Sequence, residues 1–375
     1  MDSITHVALG VVISESTFRR RIGGSANWLA AIAAASPDLD VVGRWFTRDP
    51  WLSLEIHRGA THSLLVAPVI ALLWAGLFWL FRRRQFRLMY ALALMAVLSH
   101  PLLDLCTSYG TQLLWPLSMQ RFALDYLPII DVFFTPILLA TILACWLAQR
   151  IGRGGTGAGA GNVARRIGLA GLALACAYAG VGAWADCRTV ALARATVPSE
   201  HGEVVRVRSG PLLGNVFARR IAVRTPDGYY VARYNLLLSR GSPDWHWAAS
   251  ATGPFVAEAD RLAHIVLFRW FTMGMARPVV DRAADGQGRS LVRVTYHDMR
   301  YGYPADAPES IFTAEVIFDE ATGEVRYGPA RNRWRTGQES PEGVLQFFQP
   351  RENQLQLDGN RLQRMRTMWH ESWKP

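Results

Sequence analysis

Residues 64–81, 88–103, 127–147 and 167–185 of this 375-residue chain are almost continuously apolar. Runs of this kind predict membrane-spanning helices, each of which needs roughly 20 predominantly apolar residues. Two further apolar segments, 4–13 and 26–35, are too short to span. They are expected to pair as a hairpin buried among the longer helices. The second stops at Ser36-Pro37, where proline ends helical geometry. The expected fold is a mainly α membrane bundle of about six apolar helices, two of them short, followed by a soluble α+β domain.

Charge separates the two halves. Residues 1–185 hold nine acidic and fifteen basic side chains, and residues 186–375 hold twenty-one and twenty-five. The basic side chains of the first half are all arginines, clustered between the apolar runs at 19–21, 82–87 and 150–166. This pattern marks membrane topology and is not a nucleic-acid footprint, so the bilayer is the expected partner and no nucleic acid is expected. If every apolar segment crosses, the three clusters share one side and carry eleven arginines, against four in loops 37–63 and 104–126. The clusters are then cytoplasmic, and loops 37–63 and 104–126 face outward. The start, Met1-Asp2-Ser3, has no basic n-region and is read as mature sequence. The four cysteines form no C-x-x-C pair, which argues against a disulfide framework or a thiolate zinc knuckle.

The organisation expected is a membrane-embedded domain over 1–150, a Gly-rich linker with the last transmembrane helix over 151–185, and an extracytoplasmic α+β domain over 186–375. The linker reading rests on the glycines of 152–161. In the last domain, 204–207, 217–223, 229–234, 291–296 and 313–318 read as strands and 254–272 as helix. Thr225-Pro226-Asp227-Gly228 reads as a hairpin turn, with glycine expected to supply a positive φ.

Polar residues with metal-ligand chemistry gather in the first half. His100 and Asp104 are one helical turn apart and therefore face the same way. His6, Asp38, Asp40, His57 and His62 fall on the same predicted face. Imidazole nitrogen and carboxylate oxygen are ordinary zinc ligands, and such residues at a membrane edge are costly without a use. Each has an ordinary alternative: a hydrogen-bonded histidine in a short helix for His6, a helix stop for Asp38 and Asp40, a helix cap for His100 and Asp104. Nitrogen and oxygen donors without thiolates favour Zn²⁺, with Mn²⁺ as the alternative, and seven candidates suggest two or three ions. Arg58 reads as a surface cation or, beside a metal, suits a phosphate oxygen through its planar fork. Asp131 and Arg121 read as caps or outer supports. No G-x-S-x-G elbow or P-loop is present.

These motifs, His6, Pro37-Asp38-Leu39-Asp40, His57-Arg58-Gly59-Ala60-Thr61-His62-Ser63 and His100-Pro101-Leu102-Leu103-Asp104, resemble the membrane-bound metal-dependent hydrolases whose enteric prototype is LexA-regulated. The resemblance covers about residues 1–150. It implies that His6, Asp38, Asp40, His57, His62, His100 and Asp104 hold metal. Through that family's distant similarity to zinc-dependent phospholipase C and the S1/P1 nucleases, it also implies cleavage of phosphate esters. The expected protein is a multi-pass enzyme of a bacterial inner membrane with its metal site and C-terminal domain facing the periplasm. It acts on a lipid or lipid-linked phosphate, with Asp40 or Asp38 orienting or deprotonating the nucleophile and Arg58 neutralising phosphate charge. The alternatives are a non-enzymatic membrane protein with a structural metal site and a partner-binding outer domain, or a transporter. A transporter is disfavoured by the few apolar segments and the lack of an inverted repeat.

Overall fold

The structure, a computed structural model, describes residues 1–45, 50–83, 85–152, 158–285, 287–302 and 306–327. The chain divides into two compact units. One holds Met1–Cys187 and Gly210–Phe217; the other holds Arg188–Ser209 and the chain from Ala218.

The first unit is helical. Helix α1 (Ser3–Ile13) begins at Asp2, whose side chain accepts the Thr5 N–H at 3.0 Å, as an N-cap should. It runs on through a π-helical turn (Ser14–Phe18) into α2 (Arg19–Ile22) and stops at Gly23, φ 94°. Helix α3 (Ser25–Ala35) then returns along α1. Small residues let the two approach closely: a Cβ on Gly10 would sit 2.7 Å from the Ala30 carbonyl oxygen and 2.7 Å from the Ala34 Cβ. The two short apolar segments do pair, and most of α3's alanines are buried.

Beyond a 3-10 segment (Ser36–Trp45) and α4 (Pro50–Ile56) come α5 (Ala67–Phe81), α6 (Phe86–Leu105), α7 (Phe134–Ile151) and α8 (Ala158–Thr196). Helix α5 buries Ala67, Ala71 and Ala75 and exposes Leu72, Leu73 and Leu80. Small residues inward and leucines outward is the packing of a helix whose solvent is lipid. The six expected apolar helices are not six spans. Among the described residues, α6, α7 and α8 are long and apolar enough to cross a membrane. A fourth span exists only if Leu54–His62 and Ala67–Phe81, bent by 66°, count as one.

Other boundaries shift for local reasons. Helix α7 starts at Phe134, not at 127. Asp131 accepts the N–H groups of Phe133 and Phe134 at 2.7 and 2.8 Å and the Tyr178 hydroxyl at 2.9 Å, so the helix cannot begin before its cap. Helix α8 extends past both ends of the expected span. Residues 158–161 of the expected linker are helical, and 153–157 lie outside the described residues.

The second unit carries two four-stranded sheets. The first, in order β1-β2-β3-β4, comprises Arg206–Pro211, Ala218–Arg224, Gly228–Asn235 and His246–Ala249. The second, in order β5-β6-β7-β8, comprises Ala276–Ala284, Ser290–Asp298, Thr313–Asp319 and Val325–Tyr327. Strands β2–β3, β3–β4 and the β5–β8 neighbours pair antiparallel. Both faces of the first sheet are covered: Ile221, Val223 and Tyr230 join one core cluster, Ala222, Tyr229 and Val231 another. Burial on both faces gives a continuous apolar run in place of alternation.

The sequence missed β5 because Pro278 interrupts it; the strand is an edge, where proline is tolerated. The helix expected over 254–272 is two, α9 (Pro254–Ala259) and α10 (Ala263–Phe271). Gly228 does not supply a positive φ. It is needed because a Cβ there would lie 2.4 Å from the Ala248 carbonyl oxygen and 2.9 Å from the Trp247 ring.

His264 of α10 is buried, and burial lowers its pKa to about 4. The unfolded chain, with a histidine near about 6.5, therefore takes up a proton that the folded unit does not. This contribution is complete above about pH 6.5 and is lost as pH falls toward about 4. Thermal unfolding of the wild type and His264→Leu between about pH 7 and about pH 4.5 should show a wild-type midpoint falling more steeply on acidification. Parallel curves would contradict the assignment.

Candidate metal centre

Four parts of the first unit converge on one point. Helix α1 supplies His6 from its first turns, and α6 supplies His100 and Asp104 from its last. The loop after α3 supplies Asp38 and Asp40. The turn between α4 and α5 supplies His57, Arg58 and His62. Because α1 leads from His6 to Arg19 and α6 leads from Arg87 to Asp104, the cluster and the arginines lie at opposite ends of these helices.

That turn is fixed by its own backbone partners. Arg121 donates to the carbonyls of Gly110 at 2.8 Å, Leu54 at 3.2 Å and His57 at 3.4 Å. Gln112 donates its backbone N–H to the Arg58 carbonyl at 2.9 Å and its side chain to the Glu55 carbonyl at 2.9 Å. Arg121 is thus a clamp on the turn, and Asp131 is the cap of α7.

His6, His62, His100 and Asp104 are at most 1% exposed as side chains, against 21% for Asp38. His6 Nε2 lies 3.3 Å from Asp104 Oδ1, and His62 Nε2 lies 3.3 Å from Asp104 Oδ2. His100 Nε2 lies 3.3 Å from Asp38 Oδ1 and 3.7 Å from Asp104 Oδ2. The His6 and His100 rings stack at 3.5 Å. Donor atoms of His6, His100 and Asp104, and of Asp38, His62 and His100, form two groups whose members all lie within 4.8 Å of one another. Arg58 Nη2 reaches Asp104 Oδ1 at 3.0 Å, and Nη1 donates to Thr107 Oγ1 at 2.9 Å. The terminal amine of Met1 also lies against Asp104.

The residues fit a divalent cation. His100 Nδ1 lies 2.6 Å from the Ala34 carbonyl oxygen. A carbonyl only accepts, so Nδ1 carries the proton and Nε2 presents a lone pair to the cluster, the support that metal-binding histidines usually receive. His6 Nε2, His62 Nε2, His100 Nε2 and Asp104 Oδ2 are all buried without a hydrogen bond of ordinary geometry. Imidazole nitrogens that face carboxylate oxygens across 3.3–3.8 Å in a dry site without a hydrogen bond of ordinary geometry are an arrangement that a cation between them would satisfy. Burial pushes His6 down to about 3, which keeps it neutral and able to ligate. His100 has one free lone pair, so the two groups share it rather than each having its own.

Asp40 and His57 stand beside these groups. His57 Nδ1–H donates to Asp40 Oδ1 at 3.0 Å, and the Arg58 backbone N–H donates to Asp40 Oδ2 at 2.9 Å. His62 Nδ1 lies 3.5 Å from the same oxygen. Burial works to raise Asp40, and the hydrogen bond and charge of His57 overcome it, so the carboxyl sits low. Asp40 thereby orients the whole turn. Asp40→Asn should weaken zinc affinity by about 10–100-fold without abolishing it, the usual cost of losing an outer partner. Competition with a chromogenic chelator measures this, and complete loss would make Asp40 a ligand.

Three partners escaped the sequence reading. The Ala34 carbonyl has no side-chain signal. Ser3, which donates to Asp38 at 2.7 Å, and Thr107 are legible only as short-range neighbours of His6 and Asp104. In the second unit, His201 stacks on Trp247, His264 is buried and the His297 Nδ1 accepts from Ser310 N–H. Among the described residues none of these joins a metal-type group; His370 lies outside them.

The fold and site define a helical unit with helices long and apolar enough to cross a membrane and a buried His/Asp cluster, a candidate cation centre, at one end. Residues 1–187 match the family described as YdjM inner membrane protein, and the match ends where the long segment of the first unit ends. The chain is also 29% identical over 156 residues to the "Uncharacterized protein YfhP" of Bacillus subtilis. That alignment covers 40% of this chain and 47% of YfhP, so the chain spans about half the length of this curated relative. No solved structure matches.

Proposed function

We propose that the chain is a metal-dependent hydrolase of a bacterial inner membrane that cleaves phosphate esters of a lipid or lipid-linked substrate. The observation that carries the reading is the convergence of three unpartnered imidazole nitrogens on the Asp104 and Asp38 carboxylates. His6, His62, His100, Asp104 and Asp38 would hold a divalent cation, Zn²⁺ by donor type with Mn²⁺ as the alternative. When bound, such a cation supplies a Lewis acid for a phosphoryl oxygen and acidifies a water. Asp38, the most exposed of the set, orients the water or takes its proton. Arg58, fixed by Asp104 and Thr107, places a guanidinium at the cluster to neutralise phosphate charge. Exposed Leu39, between Asp38 and Asp40 in sequence, suits a substrate with an apolar anchor.

Detergent-solubilised protein should hydrolyse a model phosphodiester or a phospholipid, lose the activity to a chelator and regain it with Zn²⁺ or Mn²⁺. Absence of turnover by metal-replete protein would remove the reading. In this proposal the arginine clusters face the cytoplasm, and the centre and second unit face the periplasm. Reporter fusions at residue 160 and after the last residue should then report opposite sides, and agreement between them would reverse the assignment.

One observation favours a second reading. Closed, nearly solvent-free ligand sets are the habit of structural zinc sites, and four of these side chains are at most 1% exposed. A structural centre would bind metal and raise the unfolding temperature with no turnover.

A further inference from the structure

At the arginine-rich end of the first unit, away from the His/Asp cluster, a cavity of about 230 Å³ opens between the π-helical turn, the end of α7 and the start of α8. Its lining includes Glu15, Arg19, Arg20, Gln149, Gly152 and Gly161. The walls are preorganised. Glu15, only 4% exposed, accepts from Arg19 Nη1, Asn27 Nδ2 and Gln149 Nε2, each at 2.7 Å. Those three partners satisfy the carboxylate and fix the Arg19 guanidinium at the cavity edge. Arg20 forms no ion pair among the described residues, and its stem runs 3.6 Å from where a Gly161 Cβ would be. Gly152 lets the end of α7 meet Ala160 of α8, since a Cβ there would overlap that alanine. A π-helical turn at the wall is the local widening that helices often show at binding sites.

The lining carries two guanidinium groups against one carboxylate. Arg21, Arg150, Arg165 and Arg166, sequence neighbours of lining residues, add exposed positive charge at the same end. Trp146, one helical turn before Gln149, and Ile151 and Val163, next to Gly152 and Ala164, expose apolar surface. A basic pocket between membrane-helix ends with apolar flanks matches an anionic head group whose chains stay in the bilayer. We propose that this cavity binds the phosphate oxyanion of an acidic phospholipid, with Arg19 and Arg20 as its donors. The site is independent of the hydrolase reading.

The test uses the full chain in detergent. Native mass spectrometry counts retained phosphatidylglycerol against phosphatidylcholine, and thermal unfolding is followed with each lipid and with sodium phosphate or glycerol 3-phosphate. The expected result is selective retention of phosphatidylglycerol and a midpoint raised by it and not by phosphatidylcholine. Arg20→Gln and the cavity-filling Gly161→Leu should each lower that retention about tenfold, the weight of a charge-assisted hydrogen bond or more. Arg21→Gln, outside the lining, should leave it unchanged. Glycerol 3-phosphate that displaces phosphatidylglycerol supports the oxyanion assignment. Wild-type retention in Arg20→Gln, whose exposed side chain makes misfolding a poor explanation, overturns the proposal. Stabilisation by sodium phosphate without any by phosphatidylglycerol overturns the lipid as the source.

Discussion

His100→Ala is expected to lose its zinc and, with it, all phosphodiester turnover. His100 is the residue common to both groups of candidate ligands. Its Nδ1 is committed to the Ala34 carbonyl, so Nε2 is its single contribution and no rotation restores it. Losing an outer partner costs about 10–100-fold in metal affinity, and a shared ligand should exceed that, so a drop beyond about 100-fold is expected. Elemental analysis of purified protein and a chelator titration give the affinity, and a diesterase assay gives the rate. The two readouts separate the claims. Full zinc content in the variant would dismantle the metal centre. Zinc loss with unchanged turnover would show that hydrolysis does not depend on this centre and would remove the metal-dependent reading.

Arg58→Ala is expected to cost about 3 kcal/mol of stability in metal-free protein, the low end of what stripping one partner from a buried ion pair costs, because the Met1 amine still faces Asp104. Arg58 and Asp104 are 6% and 1% exposed, and no water shell replaces the lost guanidinium. The comparison is clean at the backbone, because Arg58 sits at φ 59° and alanine carries the same Cβ strain. Arg58→Gly should recover roughly 1 kcal/mol relative to alanine by relieving that strain. Zinc should shrink the loss, since a bound cation gives Asp104 another counter-charge. Thermal unfolding with and without zinc measures both effects. An Arg58→Ala midpoint equal to wild type without metal would mean that the pair contributes nothing.

Much of this was legible in order and spacing. The i, i+4 spacing of His100 and Asp104 fixed their common face, and donor type pointed to zinc-like chemistry without thiolates. Asp131 as a cap and most of the strands were also readable, because turn chemistry and apolar runs are local signals. Other features were not. Asp40 and His57 looked equivalent to their neighbours, yet they bond to each other and orient the turn. Gly228 looked like a turn glycine and proved to be a packing glycine, because what limits it is a carbonyl on another strand.

The sequence by itself determined that the first half is helical and lipid-compatible, that its arginines gather between the apolar runs, and which side chains are candidates for a cation. Local periodicity and side-chain chemistry carry that information. Only the tertiary structure decided the rest. It showed that, among the described residues, three helices, or four if the bent pair counts as one span, are long and apolar enough to cross a membrane, that α1 and α3 pair through glycine and alanine, and that a backbone carbonyl sets the tautomer of His100. Those outcomes depend on contacts between residues far apart in the chain, where close packing and the absence of water decide which lone pairs are left facing one another.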